Sequence, residues 1–317
     1  MESLTDQVAV PRDLLDALQN DRLVVFAGAG ASMGAPTNLP NFKELARQLA
    51  IGVGYPHVLK NGEPIDAYLG QIEGYCGTDL DRLTEDLLSV RRRSPNSLHM
   101  AIASLASVST LRLVTTNYDQ CFQSALKSLD LKFTEYVAPV LPLGDAFTGI
   151  VHLHGQAPLG PGQELVLTDS DFGRAYVNRG WATRFLTEMF ENFTVLFVGY
   201  SGDDTIMRYL TRGLPPASKH YAFTAPEGEA SWRALGIVPL VYPPGVDHGA
   251  LPEAIVAMVD QASDDPIEHF RRVIQIVDSG FPLNAVDETY IRRICAKAEG
   301  YVPLSGGVFS TPCRSVI

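Results

Sequence analysis

The alternation of apolar and polar positions lays out a regular series of elements. Leu14, Leu15 and Leu18 recur at helical spacing and predict a first helix over 11–20. The apolar run Leu23-Val24-Val25-Phe26 reads as a buried strand and gives way at once to Ala27, Gly28, Ala29, Gly30, Ala31 and Ser32. Asn41 stands as a helix N-cap before an apolar face of Phe42, Leu45, Ala46 and Leu49. Helical patterning continues to about Ser107, broken at Gly52-Val53-Gly54 and around Pro95, and carries a stripe of Leu80, Leu83, Leu87 and Leu88. This block reads as helices inserted between the first two strands of a sheet.

A second strand, Leu111 to Thr115, ends in Thr116-Asn117-Tyr118-Asp119 and leads into a helix through Ala125 and Leu126. Short strands follow near 133–137 and 149–153, the second ending in His154-Gly155, and Leu165-Val166-Leu167 reads as a further strand. Residues 170–191 are mostly helical. Val195 to Val198 is a strongly apolar strand ending in Gly199-Tyr200-Ser201-Gly202-Asp203-Asp204, with a helix through Ile206 and Leu210 behind it. Two late strands, 220–223 and 236–242, flank a short helix near Trp232, and a helix over 249–262 completes the pattern.

Strands alternating with helices, without hairpin signals, predict an α/β fold: a doubly wound, mostly parallel, Rossmann-like sheet with a helical insertion over about 43–108. Asp264-Asp265-Pro266 marks a break, so the expected division is a domain over 1–263 and a helical extension over 264–317 with helices near 267–278 and 286–298. That extension reads equally as the start of a further domain or as a frayed end. Parallel sheets of this kind collect ligands beyond the carboxyl ends of their strands. The Gly28 turn, Asn117, His154 and Ser201 all fall at such ends.

Charge narrows the class of partner. Lys and Arg number 25 against 36 Asp and Glu, a net charge of −11. That balance argues against a nucleic-acid surface, and an anionic ligand would have to be held by local backbone amides. Arg91-Arg92-Arg93 is the one basic cluster and reads as a solvated helix end. The four cysteines, Cys76, Cys121, Cys295 and Cys313, have neither zinc-module spacing nor the look of a disulfide framework. A cytoplasmic location is the expectation. The N-terminal residues carry no signal-peptide pattern, and no apolar run is long enough to span a bilayer.

The candidate chemistry sits at the strand ends. A strand, a Gly-rich turn and a helix suit a phosphate, because small residues let backbone amides approach an anion. The spacing is neither the dehydrogenase fingerprint, which needs glycine where Met33 stands, nor a P-loop, since no Gly-Lys-Ser/Thr follows. His154, beside Gly155, is a candidate general base. His152 shares its face and reads as structural, as do His57, His99, His220, His248 and His269. Asn117 is either an N-cap or a neutral amide that holds a carboxamide, a ribose hydroxyl or an attacking water. Asp119 and Asp204 either fix ribose hydroxyls or nearby loops, or act as helix-start acids.

Together, Gly28-Ala29-Gly30-Ala31-Ser32, Thr116-Asn117-Tyr118-Asp119, His154-Gly155 and Gly199-Tyr200-Ser201 resemble, in order and rough spacing, the sirtuin-like (silent information regulator) domains. The resemblance covers roughly residues 10–262. It implies an NAD⁺ site in which the Gly28 to Ser32 turn holds the pyrophosphate, Asn117 sits by the nicotinamide ribose, His154 is the catalytic base, and Gly199, Tyr200 and Ser201 line the adenosine side. Asn41-Phe42 stands where the deacylases of the family usually have Asp-Phe-Arg, and 155–199 contains no cysteine where they usually carry a zinc module. Both departures make the chain similar to the zinc-free branch found in bacterial antiviral defence proteins.

What the resemblance implies is an NAD⁺ glycohydrolase that needs no metal, with catalytic Asn117 and His154, releasing nicotinamide and ADP-ribose. Homo-oligomerisation or an activating partner is expected, with no nucleic-acid or membrane partner. The alternatives are an NAD⁺ or ADP-ribose sensor gating an attached domain, and an NAD-dependent protein deacylase.

Overall fold

The computed structural model describes residues 2–5, 7–77, 80–89, 94–201, 219–245, 247–263, 273–274 and 276–278. The predicted helix through Ile206 and Leu210, the Arg91–Arg93 cluster, His269, Cys295, Cys313 and nearly all of the 264–317 extension lie outside these residues. In chain order the strands are β1 (Glu2–Ser3), β2 (Ala9–Val10), β3 (Leu23–Ala27), β4 (Arg112–Thr115), β5 (Glu135–Val137), β6 (Gly149–His152), β7 (Thr194–Val198), β8 (Tyr221–Thr224) and β9 (Val238–Val241). The helices are α1 (Arg12–Gln19), α2 (Phe42–Gly52), α3 (Ile65–Cys76), α4 (Leu80–Ser89), α5 (Ser97–Ser104), α6 (Cys121–Ser128), α7 (Asp169–Phe172), α8 (Trp181–Asn192), α9 (Glu229–Ala234) and α10 (Ala250–Ser263).

The main sheet runs β5-β6-β4-β3-β7-β8-β9, and every neighbouring pair in it is parallel. From β3 the chain moves to β4 and on to the edge strand β5, returns to β6 between them, and then crosses to β7 on the other side of β3. That reversal makes the β3–β7 boundary the switch point at which such sheets open a crevice. Alternate residues of β3 serve opposite faces. Leu23, Val25 and Ala27 join a core with α1, α5, α6 and α10, whereas Val24 and Phe26 join a core with α8 and α9. Both faces being covered explains why these strands read as unbroken apolar runs. Trp232 of α9 is fully buried and stacks on Phe197 at 5.4 Å, a side chain whose burial contributes about 1.5–3 kcal/mol.

The helical insertion forms where the apolar spacing places it. Its own core, from Leu45, Ala46 and Leu49 of α2, Tyr68, Leu69 and Ile72 of α3 and Leu80 of α4, closes over Tyr118, Leu165 and Leu167. The insertion therefore packs on segments that leave the carboxyl ends of β4 and β6. Asn41 caps α2 as expected, its side chain accepting the Glu44 N–H at 2.9 Å.

One local expectation changes, and two local features add detail. Residues 165–167 form no strand: the Leu165 and Leu167 amides donate to the carboxylates of Asp81 and Asp171, and only Val166 donates to the backbone, at His154 O. The 170–191 helix is divided: α7 runs into a π-helical turn over Gly173–Asn178, and Gly180, at φ +60°, precedes α8. The small N-terminal ribbon of β1 and β2 carries too few residues to leave a periodic signal.

Candidate functional site

The site is built on one row of residues. The ladder registers pair Val137 with His152, His152 with Thr115, Thr115 with Ala27, and Ala27 with Val198. Across adjacent strands the chain therefore leaves the sheet at the same level, and the four clusters singled out in the sequence all stand just above it. Asn117 and His154 each lie two residues past a paired position on neighbouring strands.

The glycines between β3 and β7 are explained first by packing. Gly199 has φ +72°, and a Cβ there would come within 2.5 Å of the Ala31 amide nitrogen. A Cβ on Gly30 would meet Gly199 O at 2.8 Å, and one on Gly28 would meet the Tyr200 ring at 2.7 Å. Two backbones thus lie directly against each other, which only glycine permits on both sides. The amides of Gly28, Gly30 and Ala31 donate within this junction, to Val198 O, Gly199 O and Gly28 O. No long helix opens from the turn: residues 29–32 form a single 3-10 turn, and α2 begins only at Phe42. The strand–turn–helix cradle expected from the sequence is therefore not continuous. Tyr200 seals the junction, its hydroxyl 2.7 Å from Thr116 Oγ1 and its ring against Phe26.

Asn117 is 7% exposed and held at every polar atom but one. Its backbone N–H donates to Thr115 Oγ1 at 3.0 Å. Its Nδ2 donates to Gly28 O at 3.1 Å and to Ser32 Oγ at 3.0 Å. Its carbonyl lies 3.3 Å from His152 Nδ1. With both amide protons engaged, Oδ1 is the atom left to accept a hydrogen bond from a ligand. This is not the N-cap geometry open to it in the sequence: α6 starts at Cys121, whose amide donates to Asp119 Oδ1 at 2.9 Å. Asp119 thus takes the helix-start role, while its Oδ2 accepts from Ser32 Oγ at 2.8 Å.

Ser32 joins these groups. It accepts from Asn117, donates to Asp119 and lies 3.1 Å from His99 Nε2. The His99 Nδ1 accepts the Asn96 N–H at 3.2 Å, which places the ring proton on Nε2, facing Ser32. Burial pushes the His99 pKa down to about 4, so the ring is neutral near pH 7. The Asn96 side chain donates to Ala31 O at 2.9 Å and Gly34 O at 3.3 Å, pinning α5 to the turn. Asn96 and His99 were not among the residues expected at the site. The Asn at an N-cap with His at the third helical position was the available sign, since that spacing makes a capping box.

His154 is 5% exposed, and burial pushes its pKa down to about 3. Its Nε2 lies 2.7 Å from the hydroxyl of Tyr176, on the π-helical turn, and Phe172 meets the imidazole edge-on at 5.2 Å. Phe172 stacks on Tyr176 and takes the edge of Phe42, so Phe42 reaches the site through Phe172. Asn41 is exposed and bonds only as the α2 cap. Tyr176 and Phe172 lay in a stretch read simply as helix, and nothing in the local pattern marks them. Gly155, at φ +84°, is fixed by packing: a side chain there would collide with Glu164 O. His152 is fully buried, its pKa lowered by desolvation, and its Nε2 lies 2.7 Å from Gln123 Nε2. It supports the Asn117 backbone, as its structural reading requires. Ser201 is exposed at the end of β7, and Asp204 lies outside the described residues.

Among the described residues, His99, Asp119 and Cys121 bring three potential metal ligands within 4.8 Å of one another. A cation on His99 Nε2 would have to replace the proton that faces Ser32, and one on Nδ1 would break the Asn96 cap. The bonding in place serves the turn and Asn117.

Residues 111–240 match the family model described as a SIR2-like domain. The uncharacterized protein y4cA of Sinorhizobium fredii is 28% identical over 90% of the chain and 26% of its own length. The NAD(+) hydrolase ThsA of Acinetobacter baumannii is 29% identical over 62% of the chain and 40% of its own length. The chain thus spans well under half the length of these two relatives. A parallel doubly wound sheet and a strand-end cluster on β3, β4, β6 and β7 accompany these likenesses, and over residues 111–240 the chain is similar to the sirtuin-like (SIR2-like) domains.

Proposed function

We propose that this domain is an NAD⁺ glycohydrolase, cleaving NAD⁺ to nicotinamide and ADP-ribose. The observation that carries the reading is the placement of Asn117 and His154 two residues past register-paired positions on adjacent strands, beside the Gly28–Gly199 junction. The likeness to an NAD(+) hydrolase supports it.

The bond from nicotinamide N1 to ribose C1′ breaks with its electron pair going to nitrogen, which neutralises the pyridinium. The leaving group needs no proton. The protein must instead hold the ribose, shield the oxocarbenium-like carbon and place a water. Asn117 Oδ1, fixed because both amide protons are engaged, accepts from a ribose hydroxyl or from that water. Water that has captured C1′ becomes strongly acidic, so even an imidazole with a pKa about 3 is basic enough to take its proton. The Gly28 to Ser32 turn with Thr116, and Gly199, Tyr200 and Ser201 across the junction, line the dinucleotide. Asp119 acts behind Ser32. No metal enters this scheme.

In a cell such an enzyme depletes NAD⁺, which fits an effector of bacterial antiphage defence in the cytoplasm, switched on by homo-oligomerisation or by a partner. No helix among the described residues is long and apolar enough to cross a membrane. The test is nicotinamide release from NAD⁺ by the purified chain, with Asn117→Ala and His154→Ala each losing most turnover while circular dichroism is unchanged. Tight NAD⁺ binding in calorimetry without consumption would replace this reading with a sensor. Release that depends on an acylated peptide would replace it with a deacylase.

A further inference from the structure

We infer that Tyr176 is a catalytic residue of this site, standing between His154 and the group that gives up a proton. The inference rests on the hydrolase reading. Four observations carry it. The Tyr176 hydroxyl lies 2.7 Å from His154 Nε2, inside the range for direct proton transfer. His154 itself is nearly sealed, at 5% exposure, whereas Tyr176 is only partly buried. Of the two groups the phenol is thus the less enclosed. Phe172 stacks on the Tyr176 ring at 5.9 Å and meets His154 edge-on, so the phenol and imidazole are held as a unit. Finally, Tyr176 lies on a π-helical turn, 173–178, a geometry found disproportionately at functional sites.

The proton path is balanced. A water lone pair forms the bond to C1′ as the bond to nicotinamide breaks, with that electron pair going to N1. The water proton passes to Tyr176 Oη as the phenolic proton passes to His154 Nε2. The imidazolium then returns its proton to solvent. The resting state requires the phenol to donate to Nε2, so His154 carries its own proton on Nδ1.

The experiment measures nicotinamide release by the full chain and by Tyr176→Phe, His154→Ala and the double variant. In the relay, Tyr176→Phe lowers kcat by about 10²-fold with KM little changed. The double variant is no slower than His154→Ala, because groups that act as one unit are not additive. Nitrogen-15 spectra of the wild type assign the Nδ1-protonated tautomer to His154, a readout that survives if a variant fails to fold. Tyr176→Phe turning over at the wild-type rate or faster, with His154→Ala silent, overturns the relay and leaves the hydrolase reading standing; the phenol is then only a cap over the imidazole. An Nε2-protonated tautomer overturns it as well. Wild-type protein that binds NAD⁺ tightly without consuming it, in each oligomeric state it forms, removes the hydrolase reading and the relay together.

Discussion

Asn117 Nδ2 donates to Ser32 Oγ at 3.0 Å, although 85 positions separate the two residues in the chain. The Ser32 hydroxyl is also bonded to Asp119 and faces His99, so the orientation of the Asn117 amide depends on a group that need not touch a ligand. Replacing Ser32 by Ala removes the acceptor of both Asn117 and His99. Leaving such buried donors unpaired costs about 1–3 kcal/mol, and the amide becomes free to rotate. Ser32→Ala is expected to lower kcat for nicotinamide release by about tenfold or more, the effect of about 1.4 kcal/mol in the barrier, with the secondary structure intact. Steady-state kinetics beside circular dichroism check this, and an unchanged kcat would show that the amide holds its position alone.

Gly199→Ala meets an obstacle of a different kind. The new methyl would lie 2.5 Å from the Ala31 nitrogen, at a backbone φ of +72°. Neither neighbour is a flexible side chain that can give way, so the β3–β7 junction must part. The variant is expected to be at least about 2 kcal/mol less stable in urea unfolding. Gly52→Ala, at the last position of α2 with nothing within 4 Å of the new methyl, is the matched control. It is expected to be neutral or stabilising by up to about 1 kcal/mol.

Buried histidines set the acid limit of the fold. Burial lowers the pKa of His99 and His220 to about 4 and of His154 to about 3. In the unfolded chain each titrates near about 6.5. Between those values the unfolded state binds more protons, so stability rises with pH there. The contribution of these rings is complete above about pH 6.5 and is lost as pH falls from that value toward the folded pKa. Each costs about 1.4 kcal/mol per pH unit within its window. Urea midpoints measured from pH 7.5 to 4.5 should fall with this slope. His220→Asn, which keeps an acceptor for the Val195 amide that now donates to His220 Nδ1 at 3.2 Å, should flatten it by one group.

The doubly wound sheet was readable because its strands are buried on both faces and leave uninterrupted apolar runs such as Leu23–Phe26 and Val195–Val198. The strand ends were readable because Gly, Asn and His interrupt those runs abruptly. What lies around them was not. Residues 165–167 have the composition of a strand, but the Leu165 and Leu167 amides find the carboxylates of Asp81 and Asp171, a choice made by tertiary contacts. His99 and Tyr176 reach the site from helical segments whose periodicity records only which face is buried. The glycine turn suggested a ligand, and its first constraint is the approach of another backbone at Gly199, which no local pattern can announce.

The same network separates the two roles open to Asn117, ligand contact and frame. Asn117→Asp preserves size and shape but exchanges a donor for an acceptor. The new carboxylate oxygen would face Gly28 O, which the native Nδ2 meets at 3.1 Å, and Ser32 Oγ, whose proton is already committed to Asp119. Repulsion from Gly28 O and from the nearby Asp119 carboxylate would turn the side chain out of its cleft. Asn117→Asp is therefore expected to lose as much turnover as Asn117→Ala and to be the less stable of the two. Near-wild-type turnover in Asn117→Asp would mean that any acceptor at this position suffices, and the amide protons of Asn117 would then have no part in orienting it. Kinetics and urea unfolding of the two variants, run side by side at pH 7.5, decide between these outcomes.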